Sequence, residues 1–510
     1  MKKIVILGGG TAGWLTALFL QKTYEDIFIE LIEDPNRPPI VAGESGTSTL
    51  LKLFAYLDIS IADWLIKVNA TPKLGGKFIN WNGVGTEFIH ALQTELVPDD
   101  IKSNFSDLSS MSVLDLLDRS HGLQNKELYF KTLIANDIPL SDAFYSGEFI
   151  KQNKVPLDAN SPLDIGCMWH YESRENAAYL KEIGISRGIK LILGEYTHSS
   201  QNESGNINSI FLKDGSTHIA DWFFDCSGFA SVLLSNVLKE PMIDFGNYFP
   251  ARSVIAWWDT PKYQVTTNAR AMKYGWSWNI NLCHRSGNGY LYDPEHLTED
   301  LALKEIHDTF GNHIEPIAKL NIKPGMMKNF IVKNVVGVGL STGFMEPLEA
   351  NGIAIIVDTL QSLYSNWSPH NATQEDFNNM NDKIWNVVID IRDYLCLHYR
   401  GHRNDTEFWK SHCYDRFRIP DSLAEKIESW KSYYLKNTAQ PRTHVYSSAA
   451  WVTVIQGLNM FDTSDLKKAN YPFLEEGKEL HQKIFEFYQK NVIMYPTIEK
   501  WIEKRGIKNA

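Results

Sequence analysis

An α/β fold, built on a Rossmann-like dinucleotide-binding module with interleaved β-sheet elements and a helical C-terminal region, follows from three features of the 510-residue sequence. The chain opens on an apolar, β-branched run that ends in glycines and passes straight into an apolar helical stretch. A second apolar run ends in an acid. From about residue 373 onward, apolar residues recur at helical spacing between loops such as the one containing Pro441.

The first run is Ile4-Val5-Ile6-Leu7-Gly8-Gly9-Gly10-Thr11-Ala12-Gly13-Trp14. It reads as strand, tight turn and helix, with glycines at the G-x-G-x-x-G spacing. Gly8 is expected to permit the turn, Gly10 to let backbone approach a pyrophosphate, and Gly13 to let the helix pack close on the strand. The N–H groups at the helix start, from Thr11 and Ala12 onward, then face the phosphate anion. The second strand, Ile27 to Glu33, ends in an acid that can hold a ribose hydroxyl, a little beyond the roughly 20 positions usual for this pattern. An ordinary βαβ turn is the alternative; strand, helix and terminal acid in order favour a dinucleotide site.

Composition narrows the class. Hydrophobic content of 44% and charged content of 22% are ordinary for a globular protein. A net charge of −11 argues against a nucleic-acid partner, whose footprint would be basic. The 15 tryptophans hint at an aromatic-lined pocket. Cys167, Cys226, Cys283, Cys396 and Cys413 form no C-x-x-C pair, which points to a reducing compartment and no metal site. Met1-Lys2-Lys3 and the apolar run after it mimic a secretory signal, but three consecutive glycines and the lack of a small-residue cleavage site argue otherwise. No stretch has enough uninterrupted apolar residues to span a bilayer. A cytoplasmic protein with no membrane partner is expected.

Along the chain, Asp34 to Pro39 is a turn-rich loop, and Ile40-Val41-Ala42-Gly43-Glu44-Ser45-Gly46-Thr47 is a small-residue segment able to run close against a cofactor. Leu50 to Val68 reads as one amphipathic helix. Residues 96 to 160 are polar and weakly patterned, as surface loops around helices would be. Residues 189 to 226 alternate in short strands, with hairpin signals at Asn202–Asn206 and Asp214-Gly215.

Several blocks, in order, resemble the flavin-dependent tryptophan halogenase family. They are the GGGTAGW turn, the Ala42-Gly43-Glu44-Ser45 loop and Pro72-Lys73-Leu74-Gly75 leading to Phe78 and Trp81. Further on come Trp169-His170-Tyr171, Asp221 to Phe229, Gly275-Trp276-Ser277-Trp278-Asn279-Ile280-Asn281 and Gly339-Leu340 through Glu346-Pro347-Leu348-Glu349-Ala350-Asn351-Gly352-Ile353. The last are His398-Tyr399 and Arg403 to Trp409. The sequence departs from the family pattern where Asn281 replaces a proline and Ala350-Asn351 replace Ser-Thr. The resemblance implies an FAD-binding halogenase module over 1–365, discontinuous, with substrate-side segments inserted near 85–165 and 240–325. A mainly helical substrate-capping region would follow over 366–510.

The resemblance implies an enzyme that binds FAD, as FADH2, through Gly8, Gly9, Gly10, Thr11, Ala12, Gly13, Glu33, Ile40, Ala42, Gly43, Glu44, Ser45, Leu340 and Ile353. Halide (chloride, bromide or iodide) and O2 are its co-substrates, and the hypohalous acid they yield would be guided to an aromatic substrate by Lys73. Lys77, four residues on, is the internal competitor, because both would share one side of a strand by period two. Surface snorkelling is the ordinary fate of such a lysine. Glu349 would polarise the hypohalous acid or take the proton leaving the ring; a helix-start acid is its alternative, and Glu346 is a nearby decoy. Backbone amides of Asn351 and Gly352 correspond to the halide site. Trp276 and Trp278 resemble a pair that shields the flavin from plain monooxygenation, and otherwise are two core aromatics. His90 aligns with a substrate-lining position, or is a core histidine.

Gly337-Val338-Gly339 lacks a helix-packing glycine, so no second dinucleotide site is expected and a separate flavin reductase would supply FADH2. Ser432 to Ser448, where tryptophan-specific members close over their substrate, contains no carboxylate. A small indole- or phenol-like aromatic, rather than free tryptophan, is therefore expected. A flavin monooxygenase or oxidase, or a non-catalytic flavin binder, are the competing readings. The sequence is compatible with a homodimer without specifying one.

Overall fold

The structure is a computed structural model that describes residues 1–37, 44–46, 48–92, 130, 132–156, 167–433, 445–461 and 474–505. Packing groups the chain into two compact units, each of three segments. The first comprises Met1–Ala70, Trp169–Trp257 and Pro316–Arg392, the second Thr71–Met168, Trp258–Glu315 and Asp393–Ala510. The boundary near the C-terminus thus falls at Arg392, inside the helix Gln374–His398, where the sequence expectation draws it at 365.

The first unit is organised by β1 (Lys2–Leu7), α1 (Thr11–Thr23) and β2 (Ile27–Glu33). β1 lies between Trp222–Asp225 and β2, both parallel to it, and Lys190–Leu193 extends the sheet beyond β2. Val335–Gly337 continues it on the other side, with Ile331–Val332 antiparallel at the edge. Strands covered on both faces need near-continuous apolar runs, and Ile4, Val5, Ile6, Leu31 and Ile32 are buried. α1 is buried without interruption from Gly13 to Leu20, as expected of a helix apolar all round.

One charged residue sits inside this sheet. Glu30 on β2 is 3% exposed and faces Lys190 directly across the ladder. Its carboxylate meets Lys3 Nζ at 2.9 Å, Lys190 Nζ at 3.0 Å and His218 Nδ1 at 3.0 Å. His218 belongs to the antiparallel meander Tyr196–Gln201, Ile207–Leu212 and Thr217–Ile219, so Glu30 ties that meander to the sheet. The meander's turns fall at the expected hairpin signals, with Gly205 and Gly215 in the left-handed region.

Two local readings change. Leu50 to Val68 forms two helices, Ser48–Tyr56 and Ile61–Lys67. The chain turns at Asp58 (φ 52°), and Ser60 caps the second helix by accepting from Asp63 N at 3.2 Å. In 132–156, the described part of the stretch read as surface loops, Leu133, Ile134, Leu140, Phe144, Phe149 and Val155 are all buried, and Tyr145–Lys151 is helical.

In the second unit, β3 (Thr71–Lys73) precedes five adjacent strands of one sheet, β4 (Gly75–Ile79), β5 (Glu87–Ala91), β6 (Thr266–Met272), β7 (Gly275–Asn281) and β8 (Ser286–Tyr292). The order is β8-β7-β6-β4-β5, antiparallel except for the β6/β4 pair. The remaining C-terminal elements are helical: Glu407–Tyr414, Asp421–Tyr433, Ser448–Gly457, Leu474–Val492 and Ile498–Lys504. Thr406, Ser447 and Thr497 cap three of them through side-chain oxygens. Among the described residues, no helix is long and apolar enough to cross a membrane.

Burial raises the Glu30 carboxyl, but its bonds to His218, Lys3 and Lys190 outweigh this and hold it down at about 2. A carboxyl depressed on folding stabilises above its unfolded value and loses that contribution as pH falls through the folded one. Glu30→Gln is therefore expected to lower stability at pH 7 by on the order of 2–3 kcal/mol. The gap from wild type should narrow as pH falls from about 4.5 towards 2, measured by urea unfolding across that range.

Candidate functional site

In the first unit, the turn after β1 is backbone packed on backbone. Gly8 has φ +125°, and a Cβ on it would lie 2.1 Å from the Cys226 carbonyl oxygen. A Cβ on Gly13 would lie 1.9 Å from the Gly8 carbonyl, so α1 starts as close to the turn as a chain allows. A Cβ on Gly9 would meet the Glu33 side chain at 2.5 Å. Gly10 differs from all three, because a Cβ there would have nothing within 4 Å. It is also the N-cap of α1 and supplies no side-chain cap. The N–H groups of Thr11 and Ala12, which have no intrahelical partners and follow the open flank at Gly10, therefore make an anion-binding arrangement.

Glu33 ends β2 beside this turn. Its Oε1 accepts from Lys181 Nζ at 2.9 Å, whereas Oε2 is buried with no hydrogen-bond partner among the described residues. A buried carboxylate oxygen left in that state costs free energy unless a ligand donates to it. Open backbone at Gly10 and an unmet acceptor at Glu33 together fit the diphosphate and ribose of a dinucleotide such as FAD. Thr11 adds its backbone; its hydroxyl accepts from Asn176 Nδ2 at 3.3 Å. Leu340 lies in the short helical turn Gly339–Thr342, where a Cβ on Gly339 would be 3.0 Å from Ala12 Cβ. Glu44–Ser45 pairs with His170-Tyr171, and Gly46 N donates to Trp169 O at 2.8 Å. Ile40, Ala42 and Gly43 lie outside the described residues.

Pro347 to Gly352 enters α2 (Asn351–Asn366) by an unusual path. Glu349 (φ 60°, ψ 21°) and Ala350 (φ 56°, ψ 31°) are both left-handed without being glycine, each at a cost of about 1–2 kcal/mol. Fully buried Asn351 holds the turn, its Nδ2 donating to Glu346 O at 2.5 Å and Leu348 O at 2.8 Å. Glu349 is thus not a helix cap: Ala350 occupies that position, without a side-chain bond. The nearest atom to a Cβ on Gly352 would be Phe344 Cε2 at 3.9 Å, so the backbone at the start of this helix is sterically open. Ile353 follows, buried on α2.

In the second unit, the two lysines separate. Lys73 ends β3 and is buried at 7% exposure, whereas Lys77 on β4 pairs with Glu87 Oε2 at 2.9 Å on the half-exposed strand pair. Period two does not make them equivalent, because Leu74 breaks the run into two strands. Leu74 N donates to Val265 O at 2.7 Å at that break. His90 on β5 places Nδ1 3.5 Å from the hydroxyl of Tyr394, a fully buried ring stacked on Tyr446 at 3.9 Å and edge-on to Trp451 at 4.9 Å. Trp276 and Trp278 share a face of β7 with ring centres 5.9 Å apart, and Trp276 Nε1 has no partner among the described residues. Trp278 lies across Gly289, where a Cβ would be 2.1 Å from the ring. The five cysteines are free and buried, and burial pushes the Cys167 thiol up to about 12, so no thiolate chemistry is available there. Among the described residues, no group of His, Cys, Asp or Glu could hold a metal ion.

The sequence model of the tryptophan halogenases matches residues 3–470. The chain belongs to the tryptophan halogenase family. It is 29% identical to the tryptophan 7-halogenase of Lentzea aerocolonigenes over 99% of this chain and 98% of that one. It is 28% identical to the tryptophan 6-halogenase of Streptomyces toxytricini over 84% of each chain. The crystal structure of that 6-halogenase superposes with a TM-score of 0.84 at 25% identity, covering 99% of this chain and 100% of the other. A flavin-dependent halogenase from Brevundimonas sp. BAL3 shares the fold at a TM-score of 0.84, over 99% of both chains. The chain is therefore an enzyme of the flavin-dependent halogenase class, with the α/β fold and helical C-terminal region that the sequence predicts. Sequence reasoning missed Lys181 beside Glu33, Asn351 as the clamp of the Glu349 turn, and the Tyr394 cluster beside His90. The first and third rest on partners distant in sequence, and the Asn351 clamp on a left-handed turn that its local sequence does not announce.

Tight Gly13 and open Gly10 predict opposite outcomes. Gly10→Ala should fold and melt like wild type yet bind FAD at least about ten-fold more weakly, since its Cβ meets only the space the anion would occupy. Gly13→Ala should fail to yield folded protein. Melting curves and FAD fluorescence quenching check both.

Proposed function

We propose that the enzyme halogenates an electron-rich aromatic substrate and that Lys73 delivers the halogen. Reduced FAD bound at the Gly8–Gly13 turn, together with O2, supplies the two-electron oxidation of halide to hypohalous acid. The burial of Lys73 carries the reading, since a lysine is rarely kept inside a protein without a task, whereas Lys77 lies on a half-exposed strand pair. The Lys73 amine would hydrogen-bond hypohalous acid, or take up its halogen as a haloamine with loss of water, so that the electrophile sits at one fixed point. Glu349 would polarise that acid or accept the proton that leaves the ring after attack. The backbone at Asn351-Gly352 would hold the halide. That role survives the exchange of Ser-Thr for Ala-Asn, because N–H groups bind an anion whatever side chain they carry. Gly9, Gly10 and Glu33, with Glu44, Ser45, Leu340 and Ile353, would line the cofactor, and His90, Trp276 and Trp278 the substrate side.

A flavin oxidase or monooxygenase is the second reading, favoured by the departures at Ala350, Asn351 and Asn281. We further propose a neutral indole or phenol as substrate. The Ser432–Ser448 segment, of which 434–444 lie outside the described residues, contributes no carboxylate to a substrate ammonium. An unpaired buried ammonium costs several kcal/mol. A separate reductase would supply FADH2, and a cytoplasmic homodimer is compatible with this scheme.

Lys73→Ala should keep FAD affinity and lose halogenated product, whereas Lys77→Ala should keep both; product at the wild-type rate from Lys73→Ala overturns the assignment. Glu349→Gln should slow turnover by about 10²–10⁴-fold, the range for a lost general base. Stopped-flow mixing with NADH alone should leave the flavin oxidised. Side-by-side kcat/KM values should favour indole over tryptophan; a clear preference for tryptophan contradicts the substrate reading.

A further inference from the structure

Asn281, the residue standing where the family pattern has proline, is fully buried at the end of β7 and makes more side-chain bonds than a strand end needs. Its Oδ1 accepts from Lys262 N at 3.3 Å and faces Ser286 Oγ at 3.0 Å, whose one proton is shared with Thr260 O at 3.0 Å. Its Nδ2 donates to Asn279 Oδ1 at 3.0 Å, and Asn279 Nδ2 donates on to Asn288 Oδ1 at 2.7 Å. Its backbone carbonyl accepts the hydroxyl of Thr71, a fully buried residue two positions before Lys73.

These bonds converge on Lys73 from both sides. Upstream, Thr71 is tied to the Asn281 carbonyl. Downstream, Asn281 holds the 260–265 loop through Lys262 N, and Asn153 holds it through Tyr263 O and Val265 N. That loop's Val265 carbonyl then accepts from Leu74 N at 2.7 Å, the residue after Lys73. A proline at 281 would keep the carbonyl but leave Lys262 N without its acceptor. The strand is three residues long and lies at the edge of its sheet, so these ties help to set where its last side chain points.

The geometry points to Asn281 and Thr71 as positioning residues for Lys73, acting through the backbone on either side of it. This rests on the reading of Lys73 as the delivering residue. A displaced amine would let hypohalous acid escape or miss the ring, without altering how the flavin is held.

The test compares Thr71→Val, Thr71→Ser, Asn281→Ala and Lys73→Ala with wild type, using FAD, a flavin reductase, bromide and indole. Brominated indole and peroxide are counted per NADH consumed. Thr71→Val should lower kcat about ten-fold with KM changed no more than about two-fold, within the cost of up to about 10²-fold that a misplacement of about 1 Å carries. Peroxide should rise in step while FAD affinity holds, and Thr71→Ser should restore wild-type yield. A purely structural bond would lower the melting temperature and leave the product-to-peroxide ratio alone. Should Thr71→Val fail to fold, Asn281→Ala decides by the same ratio. Wild-type ratios in the folded variants, with Lys73→Ala inactive, overturn the positioning role. Wild-type yield from Lys73→Ala instead overturns the reading of Lys73 itself.

Discussion

The close approach of Gly8 to Cys226 and of Gly13 to Gly8 is the constraint on which the first unit depends. Two carbonyls lie where a methyl group would otherwise be, and this brings β1, the Trp222–Asp225 strand and the start of α1 together with no side chain between them. The consequence is chemical as well as steric. Because α1 begins hard against the turn, its unpaired N–H groups emerge beside Glu33, and the open flank at Gly10 leaves them accessible. An anion with a hydroxylated sugar attached would meet both at once. The sheet supports this arrangement from behind. Asp225, buried at the end of its strand, accepts from Ser227 N, Leu233 N and Leu234 N and so fixes the chain that carries the Cys226 carbonyl. Burial raises its carboxyl, and these donors oppose the shift.

A second theme is strain held by amides. Glu349 and Ala350 sit in a backbone region that side chains avoid, and Asn351 restrains them by bonding two carbonyls of the same turn. Asn281 does the comparable task in the second unit, joining the β7 end to the loop and strand flanking Lys73. Both asparagines replace residues that the family pattern leads one to expect. Each is fully buried and bonds through its side-chain amide to a neighbouring turn or loop. The departures therefore read as local re-engineering of how a turn is held, which is compatible with keeping the chemistry of neighbouring groups.

What could be read from sequence divides along a physical line. The dinucleotide turn was legible because glycine stereochemistry and strand-helix periodicity are local: the turn, α1 and the acid of β2 all appear where the pattern puts them. Hairpins at Asn202–Asn206 and Asp214-Gly215 were legible for the same reason. The Lys73–Lys77 ambiguity was not, because it turns on a strand break at Leu74 set by a bond to distant Val265. Nor was the split of 50–68 into two helices, which depends on Asp58 adopting a left-handed conformation that aspartate tolerates but does not announce. Glu30 gave no warning as a buried carboxylate, since its three side-chain partners come from two other strands of the sheet and from the meander.

This flavin enzyme is proposed to transfer halogen to an aromatic ring. The most direct measurement is mass spectrometry of the organic product after turnover with FAD, a flavin reductase, O2, bromide and indole. The expected result is an indole product with the paired bromine isotope pattern, absent when bromide is omitted. Hydroxylated indole, or peroxide with indole recovered unchanged, would contradict it.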